Sequence, residues 1–237
     1  MQENYIRYYS HHLGRDIEML VFGHWGYPIL LFPSTLNRYY EAKDQGLIES
    51  VRGFIEAGHF KIYCVDSIDS ETWYGKHLEP SQRVHNYMQY DKFLTEELVP
   101  YIQHENKIDR IAVGGCSFGG YHSLNFAFKH PEQVDYLLSM SGDFDIRSFL
   151  NGYYDENVYY NNPVDFVPHE QGWRYGHMNI VLGSSEWDIC LNGNLTMSRI
   201  LNNKGIDHWL DIRGWEVHDW PLWRQMFPDY LSKMLIK

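Results

Sequence analysis

The segment Arg110-Ile-Ala-Val-Gly-Gly-Cys-Ser-Phe-Gly-Gly-Tyr121 constrains this chain more than any other. Ile111 to Val113 is apolar and β-prone, and Tyr121 to His130 has helical composition. Between them stands G-x-S-x-G: Gly115, Cys116, Ser117, Phe118, Gly119. A serine at the apex of a strand-to-helix turn sits in strained backbone, and the positions two either side must be nearly side-chain-free for strand and helix to close. The helix that follows turns its free N–H groups and positive dipole end toward the serine, which favours negative charge developing there. A glycine-rich turn with no chemistry uses the same residues, so the motif needs partners elsewhere in the chain.

The rest of the chain repeats the strand-then-helix alternation. Tyr5–Ser10 and Glu18–Phe22 read as an N-terminal meander, and Pro28–Phe32 is apolar on both faces, as a strand in the middle of a sheet must be. A helix is expected over Gly46–Ala57, a strand over Phe60–Val65, and a long helix over Gln82–His104 with a kink near Pro100. Asp135–Ser141, Asn179–Gly183 and His208–Ile212 read as further strands, Leu191–Asn203 as a helix, and Pro221–Lys237 as a closing helix. About 142–176 the pattern has no clean period, which predicts an irregular, lid-like insert. Together these predict one α/β domain over 1–237: a mostly parallel central sheet, an antiparallel N-terminal meander, and helices on both faces.

Several function classes fall away on composition. A net charge of −11 is wrong for a nucleic-acid backbone or an anionic membrane surface. No apolar run approaches the roughly 20 residues of a bilayer span. Three cysteines, Cys64, Cys116 and Cys190, form no C-x-x-C and no zinc spacing, and with no leader pattern they predict a cytoplasmic protein. His11 and His12, His77 with His85, and Asp66, Asp69 and Glu71 match no metal motif, so neither metal nor cofactor is expected. Gly114 to Gly120 lacks the G-K-[ST] ending of a phosphate loop. A small molecule is the expected partner, and a homo-oligomer is left open.

In an open parallel sheet, functional groups gather at the carboxyl ends of the strands. That rule selects Ser117 after the central strand, Asp188 in Ser-Ser-Glu-Trp-Asp, and His218 in Trp-Glu-Val-His-Asp-Trp. Serine needs a base to become a nucleophile, and His218 supplies one. A carboxylate must fix the imidazole tautomer and stabilise its cation; Asp188 is the choice, with Glu186 and Asp219 as rivals. The oxyanion would take backbone N–H groups from Phe118 and from the loop after the Pro28–Phe32 strand, at Ser34 or alternatively Thr35. Thr35, Trp73, Trp187 and Trp220, with Trp215 nearby, are pocket candidates for an aromatic-walled site.

With Gly-Cys-Ser-Phe-Gly-Gly around Ser117, Trp-Asp at Asp188 and His-Asp-Trp-Pro-Leu-Trp-Arg from His218, the chain resembles the α/β-hydrolase superfamily. Within it, the chain resembles the putative-esterase branch that includes esterase D (S-formylglutathione hydrolase), feruloyl esterases and the antigen 85 mycolyltransferases. The resemblance implies a serine esterase acting on carboxylic esters through an acyl-enzyme, with no cofactor. A thioesterase or acyltransferase would use the same three residues, whereas a non-catalytic binding protein of this fold would have lost at least one. Phe32-Pro33 stands where many of these enzymes have His-Gly, and residues 38–44 look unlike esterase D. Neither the second oxyanion donor nor formylglutathione specificity is therefore carried over.

Overall fold

The computed structural model describes residues 1–235; positions 236–237 of the expected closing helix lie outside the described residues. The described residues form an eight-stranded sheet. Its strands are β1 (Glu3–Ser10), β2 (Arg15–Phe22), β3 (Tyr27–Phe32), β4 (Phe60–Val65), β5 (Ile111–Cys116), β6 (Val134–Met140), β7 (Asn179–Trp187) and β8 (Trp209–Val217). They lie in the order β1-β2-β4-β3-β5-β6-β7-β8. β1 with β2 and β2 with β4 are antiparallel; every pairing from β4 to β8 is parallel. The sheet is thus the mostly parallel one the alternation implied, with β5 near its centre.

Both faces of the sheet are covered. Successive side chains of a strand point to opposite faces. Ile111 and Val113 of β5 join the core on one side with Leu124 and Phe126 of α6 (Phe118–Lys129). Ala112 and Cys116 join the other core with Met226 and Phe227, which belong to the closing helix. Burial on both faces explains why β3 and β5 read as continuous apolar runs, and why β4 does so apart from Lys61. No helix among the described residues is long and apolar enough to cross a membrane.

The remaining helices, in chain order, are α1 (Glu41–Asp44), α2 (Leu47–Ser50), α3 (Arg52–Glu56), α4 (Pro80–Lys92), α5 (Val99–Asn106), α7 (Glu156–Tyr159), α8 (Pro163–Phe166), α9 (Leu191–Asn203) and α10 (Trp220–Met234). Two expectations change here. The helix expected over Gly46–Ala57 is broken at Val51, whose φ of −116° leaves the helical region, so two short helices replace it. The long helix over Gln82–His104 is interrupted by a π-helical stretch, Phe93–Leu98, just before Pro100. Proline has no N–H for the carbonyl one turn back, and the wider winding absorbs that loss. The segment 142–176, expected as an irregular insert, consists of short helical turns joined by stretches without regular structure, and its Phe144, Ile146, Val158, Phe166 and Tyr175 are buried in the core.

Candidate active site

The site forms where β5 ends. Ser117 holds φ +56° and ψ −121°, a conformation costly for any residue with a side chain, and it lifts the hydroxyl out of the sheet before α6 begins. The flanking glycines show why the turn closes. A Cβ on Gly115 would lie 2.4 Å from the backbone of Gly119, and one on Gly119 would lie 2.5 Å from the carbonyl oxygen of Phe32. Only hydrogen fits at either position.

Two neighbouring strands deliver the partners. β7 and β8 run further than their apolar cores foretold, so Asp188 and His218 each follow directly on a strand end. His218 Nε2 is 2.9 Å from Ser117 Oγ, and His218 Nδ1 is 2.7 Å from Asp188 Oδ1. Asp188 is buried and accepts from the Cys190 N–H at 2.8 Å and from the Ser184 hydroxyl at 3.1 Å. Burial pushes its carboxyl up, but hydrogen bonds from His218, Ser141 and the Cys190 amide outweigh that and hold it below the ordinary value. The rival acids are otherwise engaged or placed: Asp219 caps α10 by accepting from the Trp220 N–H, and Glu186 is exposed.

A cavity of about 200 Å³ opens onto Ser117 and His218. Its apolar wall is Tyr74, Phe118, Phe149 and Ile189, and Tyr74 meets Phe118 and Phe149 at ring distances of 5.2 and 4.8 Å. Asp143 and Asp145 also line it. Burial raises Asp143, whereas the hydrogen bond from Arg147 holds Asp145 below its ordinary value. A larger cavity of about 380 Å³ lies at the amino ends of β7 and β8, between His177 and Trp209, and contains none of these groups.

The pocket candidates divide. Thr35 lines the Ser117 cavity. Trp73 does not: it is fully buried, packed on Tyr87 at 4.7 Å, and belongs to the core. Trp220 lies against Trp223 and faces a small void behind the site with Glu41 and Cys116. Trp187 is exposed and stacks edge-on with Trp215 at 5.4 Å, outside the cavity. Ser34 also needs correcting. Its N–H already donates to Glu41 Oε2 at 2.8 Å, so that amide has no proton left for a ligand.

Sequence reasoning passed over Tyr74, Phe149, Ile189 and Cys190, which reach the cavity from loops and short turns with no motif of their own. Asp188, Cys190 and His218 bring potential metal-ligating atoms within 4.8 Å of one another. Two of the three are already bonded to each other. Burial, with Asp188 and Asp143 nearby, pushes the Cys190 thiol up to about 12, which keeps it protonated and a poor ligand.

The family model described as "Putative esterase" matches residues 35–234. Among solved structures, a ferulic acid esterase superposes with a TM-score of 0.77 at 16% identity, over 99% of this chain and 100% of that one. S-formylglutathione hydrolase from Staphylococcus aureus gives 0.75 at 14% identity, over 99% and 97%. MPT51 from Mycobacterium tuberculosis gives 0.73 at 13% identity, over 99% and 98%. At these identities the structural likeness establishes a shared fold. No curated protein sequence matches the chain.

Proposed function

Since the chain belongs to the "Putative esterase" family, we propose that it cleaves small carboxylic esters through an acyl-enzyme on Ser117. The observation that carries this reading is the unbroken series from Ser117 Oγ to His218 to Asp188, with links of 2.9 and 2.7 Å, standing at three strand ends beside one cavity.

The steps follow from the groups present. His218 Nε2 takes the Ser117 proton as Oγ bonds to the ester carbonyl carbon. Asp188 holds the Nδ1–H tautomer and stabilises the imidazolium. The carbonyl oxygen, now negative, is met by the Phe118 N–H at the first turn of α6 and by the Thr35 N–H across the cavity. Neither amide has an acceptor among the described residues. His218 then protonates the departing alcohol, and a water repeats the sequence in reverse roles to release the acid. The segment 142–176 contributes Asp143, Asp145 and Phe149 to the cavity, and we read it as the part that sets substrate choice.

Labelling with a fluorophosphonate probe, followed by peptide mapping, tests the nucleophile. Modification of Ser117 is expected. Folded protein that stays unlabelled would favour a binding protein of this fold instead. Partitioning of p-nitrophenyl acetate between water and added alcohols separates hydrolysis from acyl transfer.

A further inference from the structure

The loop that follows β3 presents three consecutive amides, and two of them are held by buried carboxylates. The Ser34 N–H donates to Glu41 Oε2 at 2.8 Å, and the Ser34 hydroxyl donates to Glu41 Oε1 at 2.5 Å. The Leu36 N–H donates to Asp69 Oδ2 at 3.1 Å. Between them, the Thr35 N–H has no acceptor among the described residues, and Thr35 lines the Ser117 cavity. Glu41 is 6% exposed and Asp69 2% exposed. Burying a carboxylate is costly unless it is hydrogen-bonded, so two of them behind one short loop need an explanation beyond packing.

We infer that Glu41 and Asp69 are positioning residues that fix the Thr35 N–H opposite the Phe118 N–H, so that the oxyanion site is assembled before substrate arrives. The inference rests on the reading of Ser117 as nucleophile. Peptide units are planar, so pinning the amides on both sides leaves the middle one little freedom to rotate. Leu36 stands at φ +59°, a left-handed turn that sends the chain away after Thr35. A hydrogen bond from Asn37 Nδ2 to Ser34 Oγ at 3.0 Å closes the turn from the other side.

Asp69 does more than hold the loop. Its Oδ1 pairs with His122 Nε2 at 2.9 Å, with both side chains almost fully buried. His122 is on α6, one turn beyond Phe118, and the Phe118 ring packs edge-on against it at 4.9 Å. His122 Nδ1 in turn lies 3.3 Å from the Tyr87 hydroxyl of α4. One carboxylate therefore ties the loop that carries one oxyanion donor to the helix that carries the other. That link adds to the pairing of β3 with β5 in holding the two donors at a fixed distance.

The test uses purified full-length protein and two readouts: kcat and KM on p-nitrophenyl acetate, and the inhibition constant of an aryl trifluoromethyl ketone, whose hemiketal oxygen occupies the oxyanion site. Glu41→Ala and Asp69→Ala are each expected to lower kcat by about 10²- to 10³-fold, the usual loss of one oxyanion donor, with KM within about threefold of wild type. Ketone affinity should weaken by a similar factor. Glu41→Gln and Asp69→Asn, which keep an oxygen for the loop amide, should recover most of it. Where the alanine variants do not fold, His122→Phe releases Asp69 from α6 while filling the ring volume. It should weaken the ketone at least about tenfold, since small misplacements at a reacting centre cost up to about 10²-fold.

Folded alanine variants with wild-type kcat and ketone affinity would overturn the inference, as would a rise in KM with ketone affinity unchanged. Unchanged ketone affinity in His122→Phe would do the same. Failure of the underlying reading looks different: turnover would survive Ser117→Ala, whatever Glu41 and Asp69 do.

Discussion

His218 Nε2 and Ser117 Oγ lie 2.9 Å apart although 101 residues separate them in the chain. Nothing local brings them together; the pairing of β5 with β6, β6 with β7 and β7 with β8 does. Ser117→Ala removes the hydroxyl without touching the sheet. It should abolish p-nitrophenyl acetate turnover and fluorophosphonate labelling while leaving the circular dichroism spectrum and Tm near wild type. Retained turnover would place the nucleophile elsewhere.

The cavity wall makes a second prediction. Phe149 closes the pocket against Tyr74 and Phe118, at ring distances of 4.8 and 5.6 Å. A space of about 200 Å³ suits short acyl groups. Phe149→Ala should move the optimum toward longer chains, raising kcat/KM for octanoyl relative to acetyl esters by about tenfold, the scale of one or two methylenes in an apolar pocket. A panel of p-nitrophenyl esters from acetyl to decanoyl reads this directly. An unmoved optimum would show that the acyl chain lies elsewhere.

What the sequence could reveal depended on whether function sits in a side chain. Ser117, Asp188 and His218 stand out because each chemistry demands one residue type at a strand end, and the structure draws all three into hydrogen-bonding reach. The proposed oxyanion loop is the opposite case. A backbone donor has no preferred side chain, so the sequence points to Ser34 with Thr35 only as its alternative, whereas Glu41 occupies the Ser34 amide. Trp73 failed as a pocket residue because a tryptophan beside a loop reads the same whether it lines a cavity or fills the core. The central strands were legible from their continuous apolarity. The helix expected over Gly46–Ala57 was not, because the break at Val51 is a matter of backbone angle that apolar spacing does not encode.

Gly119 tests the packing of the turn. A methyl group there would be 2.5 Å from Phe32 O and 2.7 Å from Pro33 O, and backbone oxygens cannot swing aside as a flexible side chain would. Overpacking of this kind costs about 1–3 kcal/mol. Gly119→Ala should therefore lower Tm by about 2–4 °C for each kcal/mol lost in a chain of this size. It should also reduce kcat, because the strand β3 side of the clash carries the loop to Thr35. A thermal melt with wild-type Tm would mean that the turn opens without cost.

Asp188 should affect catalysis and acid stability through the same bond. Asp188→Asn favours the wrong imidazole tautomer, and the expected loss in kcat is about 10⁴-fold, the size seen for the equivalent change in a serine protease. A loss under tenfold would shift the role to Glu186 or Asp219. For stability, the folded carboxyl sits below its ordinary value, because hydrogen bonds from His218, Ser141 and the Cys190 amide outweigh burial. A depressed carboxylate contributes stability that is complete above its unfolded pKa of about 4 and fades as pH falls through the lower folded value. Asparagine cannot titrate and lacks that contribution. The gap in Tm between wild type and Asp188→Asn should therefore be widest near pH 7 and narrow as the pH is taken below about 4 toward 3. A gap that stays constant across that range would show that the charge on Asp188 is not what the fold gains from it.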